Sequence, residues 1–217
     1  MSALERLVSV EPADIERRSF EIIGRELGDR ALDSENEPVI KRCIHTAADF
    51  DYADSLAFSP HATSIGAEAL KRGASIVTDT SMAASGVNKR VLARFGGVVL
   101  NFIADPLVAA EARERGLTRS AVSMEFAARL SRPFVFAIGN APTALVSLYE
   151  LIEAGRMVRP HLIVGVPVGF VNVVESKELI MELNVPYIVA RGRKGGSNVA
   201  AAICNALLYI ASGGERE

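Results

Sequence analysis

Tryptophan is absent from this 217-residue chain, and cysteine and histidine are scarce, with two and three copies. Cys43 and Cys204 lie far apart and form no CxxC pair, which argues against a disulfide framework or a zinc site and fits a reducing cytoplasm. Neither charge sign is in excess: 24 basic and 26 acidic residues leave a formal net charge of -2, so general affinity for nucleic acid is not indicated. Long hydrophobic runs are missing too. The longest apolar stretches, Leu162–Val174 and Val199–Ala211, are too short to span a bilayer and are interrupted by Gly, Pro or Asn. The opening residues, including Glu5, Arg6, Glu11, Asp14, Glu16, Arg17 and Arg18, hold no apolar signal core. A soluble, cytoplasmic protein without a membrane partner is expected. Several motifs are absent as well. There is no GxxxxGK[ST] phosphate loop, no GxGxxG after a strand and no GxSxG elbow. Asp49, Asp51 and Asp54 resemble the start of a calcium loop, but glycine is missing at its sixth position and Pro60 stands at its twelfth. They read as a solvated acidic connector.

What is present is a layout repeated three times in the second half: a short apolar run, a glycine-bearing loop, then a helical stretch. The copies are Phe134–Ile138 followed by Gly139–Thr143, Leu162–Val164 followed by Gly165–Gly169, and Tyr187–Ala190 followed by Arg191–Asn198. Such runs, separated by helix-patterned residues, predict buried parallel strands with crossover helices. Upstream, Ser75–Thr78 and Val98–Ile103 predict further strands. Helices are predicted from Pro12 to Leu27, Glu37 to His45, Pro60 to Leu70, the region up to Arg94, Pro106 to Arg115, and Thr118 to Leu130. An apolar run ending at Phe58 follows the acidic connector, and the glycine-rich tail from Gly213 should fray. With 49% hydrophobic residues and no linker composition, residues 1–217 read as one domain. The expected architecture is a three-layer α/β/α fold with an open, mostly parallel, doubly wound sheet of about five strands. Ligands in such sheets bind beyond the carboxyl ends of the strands, so the three glycine-bearing loops mark one candidate edge.

The Arg191–Asn198 loop carries the strongest anion signal. Three cations within four residues precede Gly195, Gly196 and Ser197 at a helix start, where backbone N–H groups and the helix dipole favour negative charge. The alternative is an ordinary loop with exposed basic residues. Arg119, at a helix start between Thr118 and Ser120, is a second candidate clamp for a carboxylate; a lone Arg there is more often a surface residue. His161 reads as structural and His61 as exposed. His45 ends a helix beside Cys43, Ile44 and the small residues Thr46–Ala48, and nothing local to it decides between a structural and a catalytic role.

Taken together, these segments occur in a specific order: RCIHTAAD at 42–49, FSP at 58–60, DTSM at 79–82, SGVN at 85–88, TRS at 118–120, GNAPTAL at 139–145, GVPVGFVN at 165–172, ESK at 175–177 and RGRKGGS at 191–197. The series resembles the precorrin-8X methylmutase family of corrin (vitamin B12) biosynthesis, from about Ile15 to Leu208. The resemblance implies an isomerase that moves a methyl group from ring carbon 11 to ring carbon 12 of a tetrapyrrole. The product would be hydrogenobyrinate, or cobyrinate when cobalt is already inserted. A suprafacial [1,5]-sigmatropic shift of this kind needs no nucleotide, redox cofactor, metal or methyl donor. The family's active-site histidine maps onto His45, as donor of a proton or strong hydrogen bond to ring C. Arg119, Asn88 and Ser81 map onto substrate-holding positions. Asn140, Lys177, Arg191, Arg193 and Ser197 would contact the carboxylate rim, and Ala141, Pro142, Gly165 and Gly169 would line the ring's apolar face. A homodimer is implied. The rival readings are a noncatalytic corrinoid carrier, which turnover would separate, and a doubly wound nucleotide-binding enzyme, which NAD(P)H binding would reveal.

Overall fold

The computed structural model describes residues 11, 14–130 and 132–214. The amphipathic opening forms α1 (Ile15–Leu27); its expected start at Pro12, and the tail beyond Gly214, lie outside the described residues. α2 (Glu37–Ala47) carries Pro38 in its first turn, where a missing N–H is tolerated. A single turn, α3 (Tyr52–Ser55), leads into β1 (Leu56–Phe58), followed by α4 (Ala62–Lys71). After β2 (Ile76–Thr78) come two helices in place of the one expected, α5 (Ser81–Gly86) and α6 (Lys89–Arg94). Val87 between them is extended, and the Asn88 side chain accepts from the Val91 N–H to start the second helix. β3 (Val99–Asn101), α7 (Pro106–Arg115), α8 (Arg119–Ala128), β4 (Val135–Ile138) and α9 (Pro142–Glu153) follow. The chain ends with β5 (Leu162–Gly165), α10 (Val173–Glu182), β6 (Tyr187–Ala190) and α11 (Ser197–Ala211).

One sheet of six strands runs in the order β1-β6-β5-β4-β2-β3. Every pairing from β6 to β3 is parallel, and β1 runs antiparallel on β6 with Leu56 opposite Ala190. The sheet thus has one strand more than the pattern predicts. β1 is three residues long, too short for alternation to reveal it. Alternate residues of the central strands enter different cores. Val135, Ala137, Leu162, Val164 and Ile188 pack with α2, α4 and α11. Phe136, Ile138, Ile163 and Val189 pack with α8, α9 and α10. Burial on both faces is why these strands read as continuous apolar runs, and each such Val, Leu, Ile or Phe side chain contributes about 1.5–3 kcal/mol of transfer free energy. The result is three layers, as expected.

The chain winds outward from β2 to β3 through α5 and α6 on one face. It then returns to β4 and winds the other way, through β5 to β6, with α9 and α10 on the opposite face. The reversal falls between β2 and β4, and the crevice beyond their carboxyl ends is the favoured ligand position of such folds. Among the described residues no helix is long and apolar enough to cross a membrane. Cys43 and Cys204 are both buried and free.

Candidate active site

The crevice between β2 and β4 is filled from within. Asp79, the first residue after β2, has no solvent exposure. Its carboxylate accepts from the N–H groups of Gly139 at 2.9 Å, Asn140 at 2.8 Å and Ala141 at 2.8 Å. Burial raises the pKa of this carboxyl, and the three N–H donors oppose that rise. These donors lie at the start of α9, where a nucleotide-binding sheet would receive a phosphate. Here a protein carboxylate occupies the position, which weighs against the nucleotide-binding reading.

The loop after β6 is different. α11 starts from Gly196 without a side-chain cap, and the Ser197 hydroxyl lies 2.8 Å from that of Thr80. A Cβ on Gly139 would stand 2.6 Å from the Ser197 Cα, so only glycine lets the two loops approach this closely. Gly195 has φ 155, and a Cβ there would lie 2.1 Å from the Val166 carbonyl oxygen. Gly196 donates its N–H to that same oxygen at 2.9 Å, and Gly169 donates to the Arg193 carbonyl at 3.2 Å. The loops after β2, β4, β5 and β6 therefore interlock along one edge, where the repeated layout places them.

Most of the expected binding residues share this edge. Ser81 and the side chain of Asn140 are exposed, and Ser81 Oγ lies 3.4 Å from Asn101 Oδ1. Arg119 is the exposed first residue of α8. Its neighbour Thr118 caps that helix and lies 2.8 Å, hydroxyl to hydroxyl, from Thr143, which brings Arg119 beside the loop after β4. Arg191 and Arg193 are exposed on the loop after β6. Two residues stand elsewhere. Asn88 caps α6 with its side-chain oxygen and donates its backbone N–H to Asn205 Oδ1 at 2.8 Å. It lines a cleft of 190 Å³ with Glu16, Arg42 and Tyr209. Lys177 has no exposure at all, so it does not reach the rim directly; its Nζ donates to the carbonyls of Gly192 at 2.7 Å and Lys194 at 2.9 Å. Burial pushes its pKa down to about 8.

The apolar part of the edge comes from residues that composition alone did not single out. Ala141 and Gly165 are buried. Met82, Phe170 and Val171 are instead 71%, 81% and 77% exposed, and the Arg193 guanidinium lies 5.4 Å from the Phe170 ring centroid. The loop after β5 divides its apolar residues: Val166 enters the core, while Phe170 and Val171, beyond Gly169, face outward.

His45 occupies the last turn of α2, in the layer opposite Arg119. Its ring lies 5.2 Å from that of Phe20 on α1, and the Arg42 guanidinium covers the same Phe20 ring at 4.8 Å. Arg42 pairs with Glu16. Burial, and then the positive charge of Arg42, lower the His45 pKa below its ordinary 6.5. Ala48 closes the helix in the left-handed region with φ 50. The acidic connector that follows is not merely solvated. Lys194 binds Asp49 at 2.7 Å and Asp51 at 2.5 Å, and the Arg191 N–H donates to Ser55 O at 2.8 Å. The basic loop is thereby strapped to the chain segment that carries His45.

A histidine in one layer, an arginine in the other and an apolar, cation-flanked loop edge are groups that suit a wide, flat, anionic ligand. Comparison with known proteins agrees. Residues 14–210 match the family model for precorrin-8X methylmutase. The chain is 46% identical over 205 residues to a cobalt-precorrin-8 methylmutase of Salmonella typhimurium, covering 92% of this chain and 95% of that one. It is 42% identical over 207 residues to a cobalt-precorrin-8 methylmutase of Priestia megaterium, covering 95% and 92%. The solved precorrin-8X methyl mutase of Thermus thermophilus superposes with a TM-score of 0.85 at 39% identity, over 93% of this chain and 98% of that one. The chain belongs to the precorrin-8X methylmutase family, isomerases of cobalamin biosynthesis.

Proposed function

We propose that this protein moves a methyl group from ring carbon 11 to ring carbon 12 of cobalt-precorrin-8 or its metal-free counterpart precorrin-8X, giving cobyrinate or hydrogenobyrinate. It would do so as a cytoplasmic homodimer. The observation that carries this reading is the interlocked loop edge, whose exposed Met82, Phe170 and Val171 are flanked by Arg119 and Arg191. Among the described residues neither arginine is ion-paired, so both are available to carboxylates. The exposed apolar side chains would lie against the macrocycle face. Ser81, Asn140 and Ser197 would add neutral donors at its rim, and His45 would donate to ring C as charge develops there. The shift is internal to the substrate: one carbon–carbon bond breaks, another forms, and no group is lost.

Two measurements test this. Purified protein given the precursor alone should convert it, with the change read by visible absorbance; a strict need for nucleotide, added metal ion or methyl donor would overturn the reading. Run side by side, the cobalt form should react faster than the metal-free form, as relatives at 46% and 42% identity act on the cobalt form by name. The rim is tested separately. Arg119→Ala, and Arg191→Ala combined with Arg193→Ala, should each weaken product binding by about 1.5–3 kcal/mol, the usual loss for a charge-assisted contact. Unchanged affinity in folded variants would move the rim to other residues.

A further inference from the structure

Asp79 and Lys177 are the charged side chains without solvent exposure among the described residues. The first is matched by three N–H donors, but the second has no carboxylate. Its partners are two backbone carbonyls, those of Gly192 and Lys194. Removing an ammonium from water without a counter-ion is costly, and a methionine of similar length would fill the same space without that cost. The two carbonyls belong to the loop that carries Arg191 and Arg193 on its exposed side. In a trans peptide the C=O of one residue and the N–H of the next point in opposite directions. Carbonyls 192 and 194 turned inward to Nζ therefore turn the N–H groups of Arg193 and Gly195 outward. Neither N–H has an acceptor among the described residues.

From this geometry we infer that Lys177 is a positioning residue. Its ammonium holds the carbonyls of Gly192 and Lys194 inward and with them the N–H groups of Arg193 and Gly195 outward, and so presets a positively charged seat for one carboxylate of the corrinoid rim. The inference rests on the proposed function, because it assigns that loop to the anionic rim. Within the seat, Arg193 and Gly195 supply backbone donors and Arg191 a side chain. The buried charge behind them adds to the field in a region where water does not screen it. The Lys194 strap to Asp49 and Asp51 fixes the far end of the same loop.

The test compares the parent with Lys177→Met, which removes charge and hydrogen bonds, and Lys177→Gln, which keeps an N–H donor without charge. The probe is hydrogenobyrinate, titrated by visible absorbance, with turnover measured beside it. Lys177→Met should raise the product Kd and the KM about tenfold or more, while kcat falls by less than about threefold. Amide exchange should accelerate at Gly192–Gly196 and stay at the parent rate at Gly139–Ala141. Lys177→Gln should fall between the two proteins in affinity. Parent-like affinity in Lys177→Met overturns the inference, as does an equal loss of kcat. Failure of both variants to fold also overturns it, since Lys177 would then serve the core. Failure of the parent itself to bind the product would instead sink the proposed function.

Discussion

His45→Ala is expected to lose about 10²–10⁴-fold in turnover, the usual contribution of a positioned proton donor, and still bind the corrinoid product close to parent affinity. The asymmetry follows from where the interactions are made. On the proposed reading, ring affinity would draw on exposed Met82, Phe170 and Val171 and on several dispersed cations, with one imidazole a small part of the sum. A donor needed where charge develops lowers kcat more than it lowers affinity. His45→Asn should recover little, because an amide donates a hydrogen bond but cannot transfer a proton near neutral pH. Two controls are built into the chain. His61 is 76% exposed and lies 3.3 Å from Glu35, and His161 precedes β5 away from the loop edge. Alanine at either position should leave turnover nearly intact. Parent-like turnover in His45→Ala, with a loss in His61→Ala, would show that the histidine is misassigned.

The lowered His45 pKa gives this assignment a pH signature. The free protein's imidazole loses its proton below the ordinary 6.5 because it is partly buried and faces Arg42. If the imidazolium is the donor, kcat/KM should fall as pH rises through that depressed value, and His45→Asn should lack this limb. Bound carboxylates favour the charged ring, so the corresponding limb in kcat should lie at higher pH. A parent profile without either limb, together with recovery in His45→Asn, would reduce the role to a neutral hydrogen bond. The same shift acts on stability. The folded ring takes up a proton less readily than the unfolded one, so the contribution of His45 is intact above pH 6.5 and is lost as pH falls from there through the depressed folded value.

The three strand–loop–helix units were legible because each strand is buried on both faces and its loop is punctuated by glycine. The edge that those units define is where Asn140, Arg191, Arg193 and Ser197 stand. β1 was not resolved as a strand, since its existence depends on pairing with β6, a contact between distant residues that no local pattern records. The split between α5 and α6 depends on Asn88 capping, which competes with the continuous helix the region suggests. Lys177 stands furthest from the exposed rim position expected of it. Sequence treats lysine as exposed by default, and only the fold shows a pocket with two carbonyls aimed into it. Lys194 was missed as a strap for the opposite reason: its partners Asp49 and Asp51 are more than a hundred residues away and looked like a solvated run. His45 could be singled out only through the family resemblance, since its neighbours Phe20 and Arg42 come together through the packing of α1 on α2.

Asp79→Ala should produce the largest loss of stability of any single change at the edge. It removes the acceptor of three N–H groups in a site closed to solvent. Each buried donor left unsatisfied costs about 1–3 kcal/mol, so even with local relaxation the expected loss is about 3 kcal/mol or more. Chemical unfolding, read as the shift in midpoint at unchanged slope, measures it. Asp79→Asn separates charge from hydrogen bonding. One carboxylate oxygen takes the Asn140 and Ala141 N–H groups and the other takes that of Gly139. An amide oxygen can keep the first two, while its NH₂ faces the third donor. Burial raises the Asp79 pKa, so ionising it inside the fold is itself unfavourable, and neutral Asn is relieved of that cost. The Asn variant should therefore be clearly less destabilised than the Ala variant. Both should speed amide exchange at Gly139–Ala141 and loosen Thr143, the partner that holds Thr118 and with it Arg119. A loss below about 0.5 kcal/mol in Asp79→Ala, the range of an ordinary surface change, would mean that water or a shifted loop replaces the carboxylate. The crevice between β2 and β4 would then be open to a ligand rather than filled from within.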